Sequence, residues 1–269
     1  MLKFDTVLWD MDGTLIDSEP IWHEEESAMT RELQIPWGDE DSNSCLGGPI
    51  SKVDSLMRSR ADGRFQEGHL AEILISRMAA RLQEGVDFAK GAESLLNEMK
   101  DESIKLGLVT ASARQIVDSA LRKIDGYFTS IISADDVLVT KPDPSGYLKA
   151  AKELGSDIRM SLILEDSTNG MKAAIASGAF VLGLRHGKEL PSGEKVRFLD
   201  NLQGVTFSEI CLLFDKNSSK LGGEMKKNTG VLQAGDRVQL TDEKGKIYSF
   251  FLTPGSQWHS HKGWITMMI

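Results

Sequence analysis

Five short runs of apolar residues constrain this chain more than anything else in it: Thr6 to Trp9, Lys105 to Val109, Ile131-Ile132, Ser161 to Leu164 and Phe180 to Leu184. None alternates apolar with polar. A strand that is apolar at nearly every position must be covered on both faces, which is the habit of parallel sheets. Between the later runs the apolar residues keep helical spacing: Ala92, Leu95, Leu96 and Met99, then Ile116, Ala120 and Leu121, then Met171, Ala174 and Ile175. Strand and helix in alternation predict an α/β fold with a doubly wound, parallel, Rossmann-like sheet.

One interval breaks the rhythm. About ninety residues separate the first run from the second, far more than a crossover needs. Ser18 reads as an N-cap, Pro20 suits a first helical turn, and Trp22, Met29 and Leu33 make one apolar stripe. Leu70, Ile73, Leu74, Met78 and Leu82 make another. The reading is a core from residues 1–17 and 89–214, interrupted by a helical cap over residues 18–88. Residues 215–229, DKNSSKLGGEMKKNT, have the composition of a linker. Residues 230–269 turn to a β pattern: Arg237-Val238-Gln239-Leu240 alternates, Glu243 to Lys246 reads as a turn, and Ile247 to Leu252 as a strand.

A chain of 269 residues fits one core plus an added module. Lys and Arg number 31 against 40 Asp and Glu, and the formal charge of −9 argues against nucleic-acid binding by the whole chain. Two cysteines, Cys45 and Cys211, make no disulfide framework. Asp5 interrupts the apolar run that a secretory leader would need, and no stretch approaches the roughly 20 apolar residues of a membrane span. A cytoplasmic protein with no membrane association and no obligate protein partner is expected.

The ends of the apolar runs carry the chemistry. In VLWDMDGTLIDS, residues 7–18, Asp10 and Asp12 are two apart and project together from a strand's C-terminal end. In open α/β sheets that is where ligands bind. Gly13 permits the sharp exit. The second run ends at Thr110 and Ser112, whose hydroxyls beside a helix N-terminus suit a phosphate, though either could be a plain cap. Lys141 precedes Pro142-Asp143-Pro144, which hold it in a loop. Glu165 and Asp166 follow Leu162-Ile163-Leu164; adjacent acids beside a buried strand call for a metal or a cationic partner, and hard carboxylate oxygens suit Mg²⁺. An attacking carboxylate about 4 Å from a phosphate repels it by roughly 4 kcal/mol per unit charge at an effective dielectric near 20. Mg²⁺ and Lys141 could offset that. The assembled chemistry is phosphoryl transfer through an aspartyl-phosphate.

DMDGT at 10–14, VTAS at 109–112, KPDP at 141–144 and LEDS at 164–167, followed by NGMKAAIASGA, resemble the haloacid dehalogenase-like superfamily. The insert directly after DGTLIDSEP resembles the β-phosphoglucomutase-like branch with a helical cap. The resemblance implies that Asp10 is the nucleophile and Asp12 the general acid and base. It implies that Thr110, with Ser112 beside it, holds the phosphate and that Lys141 bridges phosphate and nucleophile. Mg²⁺ would be held by Asp10, the Asp12 backbone carbonyl and Asp166, with Glu165 alongside. Asp12 speaks against a dehalogenase. Lys52, the one lysine between residues 18 and 88, is a poor Schiff-base candidate for phosphonate hydrolysis. Mutases of this branch set cations around the cap's glycine turn, which here reads Cys45-Leu46-Gly47-Gly48-Pro49-Ile50-Ser51-Lys52. A phosphatase acting on a small phosphorylated, sugar-like metabolite is therefore favoured over a phosphomutase. Trp22, His23, Arg77 and Arg81 could touch substrate, although surface or core roles are the simpler reading.

Residues 228–269 stand apart. GDRVQLTD, the turn EKGK, and LTPG followed by HSHKG resemble the β-rich N-terminal region of actinobacterial-type tRNA adenine methyltransferases. No AdoMet-binding glycine loop follows, so no methyl transfer is expected. His259 and His261 lack further ligands and read as ordinary polar positions. A fused reading frame accounts for the segment most simply; an RNA- or methyltransferase-associated binding protein is the competing idea, and salt-dependent tRNA binding would revive it. The segment should be a loosely packed appendage. Limited proteolysis between residues 215 and 229 should release it while phosphatase activity survives, and activity lost on release would count against that view.

Overall fold

The computed structural model describes residues 4–45, 48–124 and 126–215, and the backbone of four C-terminal strands. A six-stranded parallel sheet runs in the order β3-β2-β1-β4-β5-β6: β1 Thr6–Trp9, β2 Lys105–Val109, β3 Ser130–Ile132, β4 Leu162–Glu165, β5 Phe180–Leu184 and β6 Val196–Leu199. All five apolar runs are strands. The fourth is shifted by one residue, so Glu165 closes the strand rather than following it. The edge strand β6 has no counterpart in the sequence reading. Val196 and Leu199 of β6 are buried while Arg197 and Phe198 between them are half-buried, as an edge position allows.

Successive strand residues face opposite layers. Val7 and Trp9 enter a core completed by Leu95, Ile116 and Phe207 from helices α5 (Ala92–Asp101), α6 (Arg114–Ile124) and α9 (Phe207–Leu213). Leu8 and Ile163 enter a second core with Tyr147 and Ala174 from α7 (Ser145–Glu153) and α8 (Thr168–Ser177). The predicted α/β class with a doubly wound, Rossmann-like sheet is what forms. The strand order reverses between β1 and β4, and that switch point opens the crevice where ligands of such sheets bind.

Between β1 and α5 stand four helices: α1 Glu19–Glu32, α2 Asp39–Cys45, α3 Ile50–Arg60 and α4 His69–Glu84. Met29, Leu70, Leu74, Met78 and Leu82 are buried, as their spacing predicts. Pro20 lies in the first turn of α1. Ser18 holds the N-cap position but makes no capping hydrogen bond, because its hydroxyl is used elsewhere. No helix among the described residues is long and apolar enough to cross a membrane. In the C-terminal segment, β7 (Arg237–Thr241) pairs antiparallel with β8 (Ile247–Phe251), and β9 (Gln257–His261) with β10 (Trp264–Met268). The turn at 243–246, the linker from 216 onward, the segment's packing and the side chains of His259 and His261 lie outside the described residues.

One carboxylate organises the insert. Asp54 of α3, 2% exposed, accepts hydrogen bonds from the N–H groups of Gly68 (3.1 Å), Leu70 (3.1 Å) and Ala71 (3.2 Å), and from Arg58 Nε at 2.8 Å. Helix α4 has no capping side chain of its own, so Asp54 satisfies its orphan donors from across the fold. Burial disfavours the Asp54 charge, yet these donors and Arg58 prevail and hold its pKa below the ordinary value. Asp54→Ala should cost about 1–3 kcal/mol in thermal or denaturant unfolding at neutral pH. An acid with a depressed folded pKa stabilises above its unfolded pKa and ceases to as pH falls through the folded value. The gap between variant and wild type should therefore close in acid; a gap independent of pH would contradict the role.

Candidate active site

Asp10 directly follows β1, and its N–H donates to the Leu164 carbonyl at 3.1 Å, pinning the exit of β1 to β4. The side chain is 6% exposed. Gly13 then turns at φ +81°, where a Cβ would stand 2.4 Å from Asp166 Oδ2. Only glycine lets the backbone pass that carboxylate. Thr14 Oγ1 donates to the other oxygen of Asp166 at 3.1 Å.

Lys141 comes from the loop between β3 and α7, and its bond to Pro142 is cis. It is no surface lysine. Its Nζ donates to Asp10 Oδ1 at 2.5 Å and to Glu165 Oε1 at 2.6 Å, with 6% of the side chain exposed. Burial favours the neutral amine, but the two carboxylates overcome this and raise the lysine pKa. The ammonium also lies over the Tyr147 ring, 5.0 Å from its centroid. Glu165, fully buried, further accepts from Tyr147 Oη at 2.7 Å, from the N–H groups of Asp166 and Ser167 at 3.1 Å, and from Ser167 Oγ at 3.2 Å. Helix α8 can approach this closely because residue 170 is glycine: a Cβ there would fall 1.7 Å from Glu165 Oε1. Ser167 Oγ accepts from Gly170 N at 3.0 Å and so caps α8.

Asp10, Glu165 and Asp166 each bring an oxygen within 4.8 Å of the others. One ammonium faces three acids. Burial, then the charge of Glu165, pushes the Asp10 pKa well above the carboxylate range. Burial, then Glu165 and Glu19, pushes Asp166 up to about 8. Such a site needs a proton or a further cation. Carboxylate oxygens alone, with no thiolate or imidazole among them, fit a hard divalent ion such as Mg²⁺.

Asp12 lives differently. Its Oδ1 accepts from Ser18 Oγ at 2.7 Å and Trp22 Nε1 at 3.2 Å; its Oδ2 accepts from Ser112 Oγ at 2.7 Å and Thr110 Oγ1 at 3.2 Å. The two hydroxyls read from sequence as a phosphate seat are thus turned toward Asp12, although both still line the same cavity. That cavity, about 360 Å³, is bounded on the core side by Asp10, Asp12, Lys141 and Asp166, and on the insert side by Trp22 and Glu26 among others. His23 also lines it and pairs with Asp39 at 3.1 Å. Arg77 and Arg81 are not among its walls: Arg77 binds Glu32, and Arg81 binds Glu24 at 3.0 Å and Glu25 at 2.9 Å. Lys52 donates to the Ser44 carbonyl. Leu46 and Gly47 of the glycine turn lie outside the described residues. Thr14, Tyr147 and Glu26 went unread in the sequence. The first two sit inside or just beyond DMDGT and KPDP, and Glu26 is one helical turn after Trp22.

The raised carboxyls carry a sign. An acid with a higher pKa folded (about 8 for Asp166) than unfolded (ordinary value 3.8) holds more protons in the native state between those limits. The metal-free fold therefore loses stability as pH climbs through that window and levels off above it. Asp166→Asn should flatten part of this slope and raise the melting temperature at alkaline pH in the presence of chelator. Thermal unfolding across the window checks it, and equal slopes in both proteins would refute it.

Residues 7–184 match the family model of haloacid dehalogenase-like hydrolases, and residues 230–267 match the TrmI-like N-terminal model. The chain is 30% identical to validoxylamine A 7'-phosphate phosphatase of Streptomyces hygroscopicus subsp. limoneus over 183 residues, 67% of this chain and 85% of that protein. It is likewise 30% identical to hexitol phosphatase B of Escherichia coli K12 over 175 residues, 63% of this chain and 78% of that one. A β-phosphoglucomutase structure from Clostridium difficile superposes with a TM-score of 0.66 at 19% identity, covering 77% of this chain and 96% of its own, a likeness of fold. With a family model matching residues 7–184, from β1 to β5 of the six-stranded sheet, the chain belongs to the haloacid dehalogenase-like hydrolase family.

Proposed function

We propose that this phosphoric monoester hydrolase is a Mg²⁺-dependent phosphatase that transfers the phosphoryl group of a small, sugar-like metabolite to Asp10 and then to water. The observation that carries the reading is the Lys141 ammonium 2.5 Å from Asp10, with Glu165 and Asp166 in the same acidic cluster and Asp12 facing the same cavity. Relatives named for hydrolysing validoxylamine A 7'-phosphate and hexitol phosphates support the substrate class.

Lys141 holds one oxygen of Asp10, leaving the carboxylate to attack phosphorus. Asp12 protonates the leaving oxygen. A phosphorylated Asp10 remains, and Asp12, now a base, takes a proton from water attacking the phosphorus, which frees phosphate and restores Asp10. Thr110 and Ser112 line the cavity within reach of a transferring phosphoryl group. Glu165 has five donors on its two oxygens, so its part is to fix Lys141 beside the nucleophile. Asp10, Asp166 and the Asp12 backbone carbonyl would hold Mg²⁺. When bound, the ion would neutralise charge shared between nucleophile and phosphoryl oxygens. The insert covers the site as a cap and limits water.

Hydrolysis is favoured over a mutase because no lysine or arginine from the insert lines the cavity among the described residues. A mutase must grip a second phosphate there. Nothing described in residues 230–269 favours an RNA-binding reading, and a cytoplasmic setting accords with the substrate class.

A panel of phosphorylated metabolites with and without Mg²⁺ tests the reading. Turnover should require the ion. Asp12→Asn should lower kcat by about 10²–10⁴-fold, and Asp10→Asn should lose essentially all turnover and all acid-stable incorporation of labelled phosphate. Wild-type-like activity in Asp10→Asn would overturn the mechanism.

A further inference from the structure

Glu26 is a buried acid that the chemistry above leaves unused. It is 5% exposed, yet it forms part of the cavity wall on the insert side. Four residues after Trp22 on α1, it shares that residue's helix face. Trp22 reaches Asp12 at 3.2 Å, so the face that touches the general acid carries Glu26 about 6 Å further along the axis. That displacement is the span of a few carbons of a leaving group.

The carboxylate is held still by a relay. Trp37 Nε1 donates to Ser42 Oγ at 2.8 Å, and Ser42 Oγ donates to Glu26 Oε2 at 2.5 Å. No ion pair reaches Glu26 among the described residues, whereas its neighbours Glu24, Glu25 and Glu32 are all taken up by Arg77 and Arg81. A carboxylate offers about four acceptor positions, and the bond from Ser42 takes up only one of them on a residue that lines the cavity. Burial raises the Glu26 pKa and prevails over Ser42, Trp37 and the charge of His23, which lower it.

We infer that Glu26 reads the alcohol half of the substrate, accepting hydrogen bonds from hydroxyl groups of a polyhydroxylated phosphate ester a few carbons from the scissile oxygen. The inference rests on the phosphatase reading and adds the residue that selects the leaving group. A site built to bind a hydroxyl discriminates strongly against esters that lack one, since its buried acceptor is then left without a partner.

The experiment measures kcat/KM for sorbitol 6-phosphate and for p-nitrophenyl phosphate, which has no hydroxyl to offer, in wild type, Glu26→Gln and Glu26→Ala. The ratio of the two constants should fall about 10-fold or more in Glu26→Ala, through KM for the polyol ester. Glu26→Gln, which keeps one acceptor oxygen, should fall between. Because the readout is a ratio within each protein, a general loss of folded enzyme does not move it. Wild-type turnover with the ratio unchanged in both variants would overturn the inference alone. A wild type that hydrolyses neither ester with Mg²⁺ would overturn the phosphatase reading and the inference together.

Discussion

The bond from Lys141 to Asp10 organises the rest of the site. Three carboxylates converge where β1 and β4 leave the sheet, and one buried ammonium stands among them. Taking charges out of water costs several kcal/mol each, and a pair in that setting repays the loss only with close geometry and further hydrogen bonds. The fold supplies both. Glu165 has its oxygens filled by Tyr147, Ser167 and backbone donors as well as by the lysine. Gly13 and Gly170 remove the two side chains that would otherwise stand inside the carboxylates. Packing here serves electrostatics: α8 comes close to β4 so that Glu165 can be satisfied, and Glu165 is satisfied so that Lys141 stays put.

Asp10 and Asp12 show how two carboxylates of one motif acquire separate chemistry. Asp10 is enclosed among like charges and its proton is held tightly unless a cation compensates. Asp12 faces the cavity with four neutral donors around it, two from the start of the insert and two from the end of β2. Environments that differ this much are the mark of divided roles between titratable neighbours. The same four bonds make Asp12 the joint between insert and sheet, because Ser18 and Trp22 move with α1 while Thr110 and Ser112 belong to the core.

Much of this was legible in residue order alone. Strands covered on both faces cannot hide among polar residues, so all five apolar runs appeared, and the polar residues at their ends stood out as candidates for a site. What stayed hidden depends on long-range geometry. Strand β6 lies at the sheet's edge, where Arg197 interrupts the apolar run and Phe198 is only half-buried. Helix α2, DEDSNSC, carries no apolar stripe and is held by its neighbours. The burial of Lys141 stayed hidden because nothing local says that two acids from β1 and β4 will close over a loop lysine. Ser18 had the right residue type for a cap, but a carboxylate six positions earlier was a better acceptor for its hydroxyl than the helix was a donor to it.

The charge of the cavity explains why the insert wall has the composition it does. Three acids against one lysine leave the core side with an excess of negative charge, which a divalent cation would offset before a phosphate approaches. Further cations on the insert side would draw a second anion, and with it a different reaction, into the space meant for the alcohol. Arg77 and Arg81 of the insert are instead engaged by acids away from the cavity, while Trp22 and Glu26 present a ring, a ring nitrogen and an acceptor. An apolar wall would have bound any aryl or alkyl ester. A carboxylate held by Ser42, with acceptor capacity to spare, makes the cavity costly to fill with anything that brings no donor.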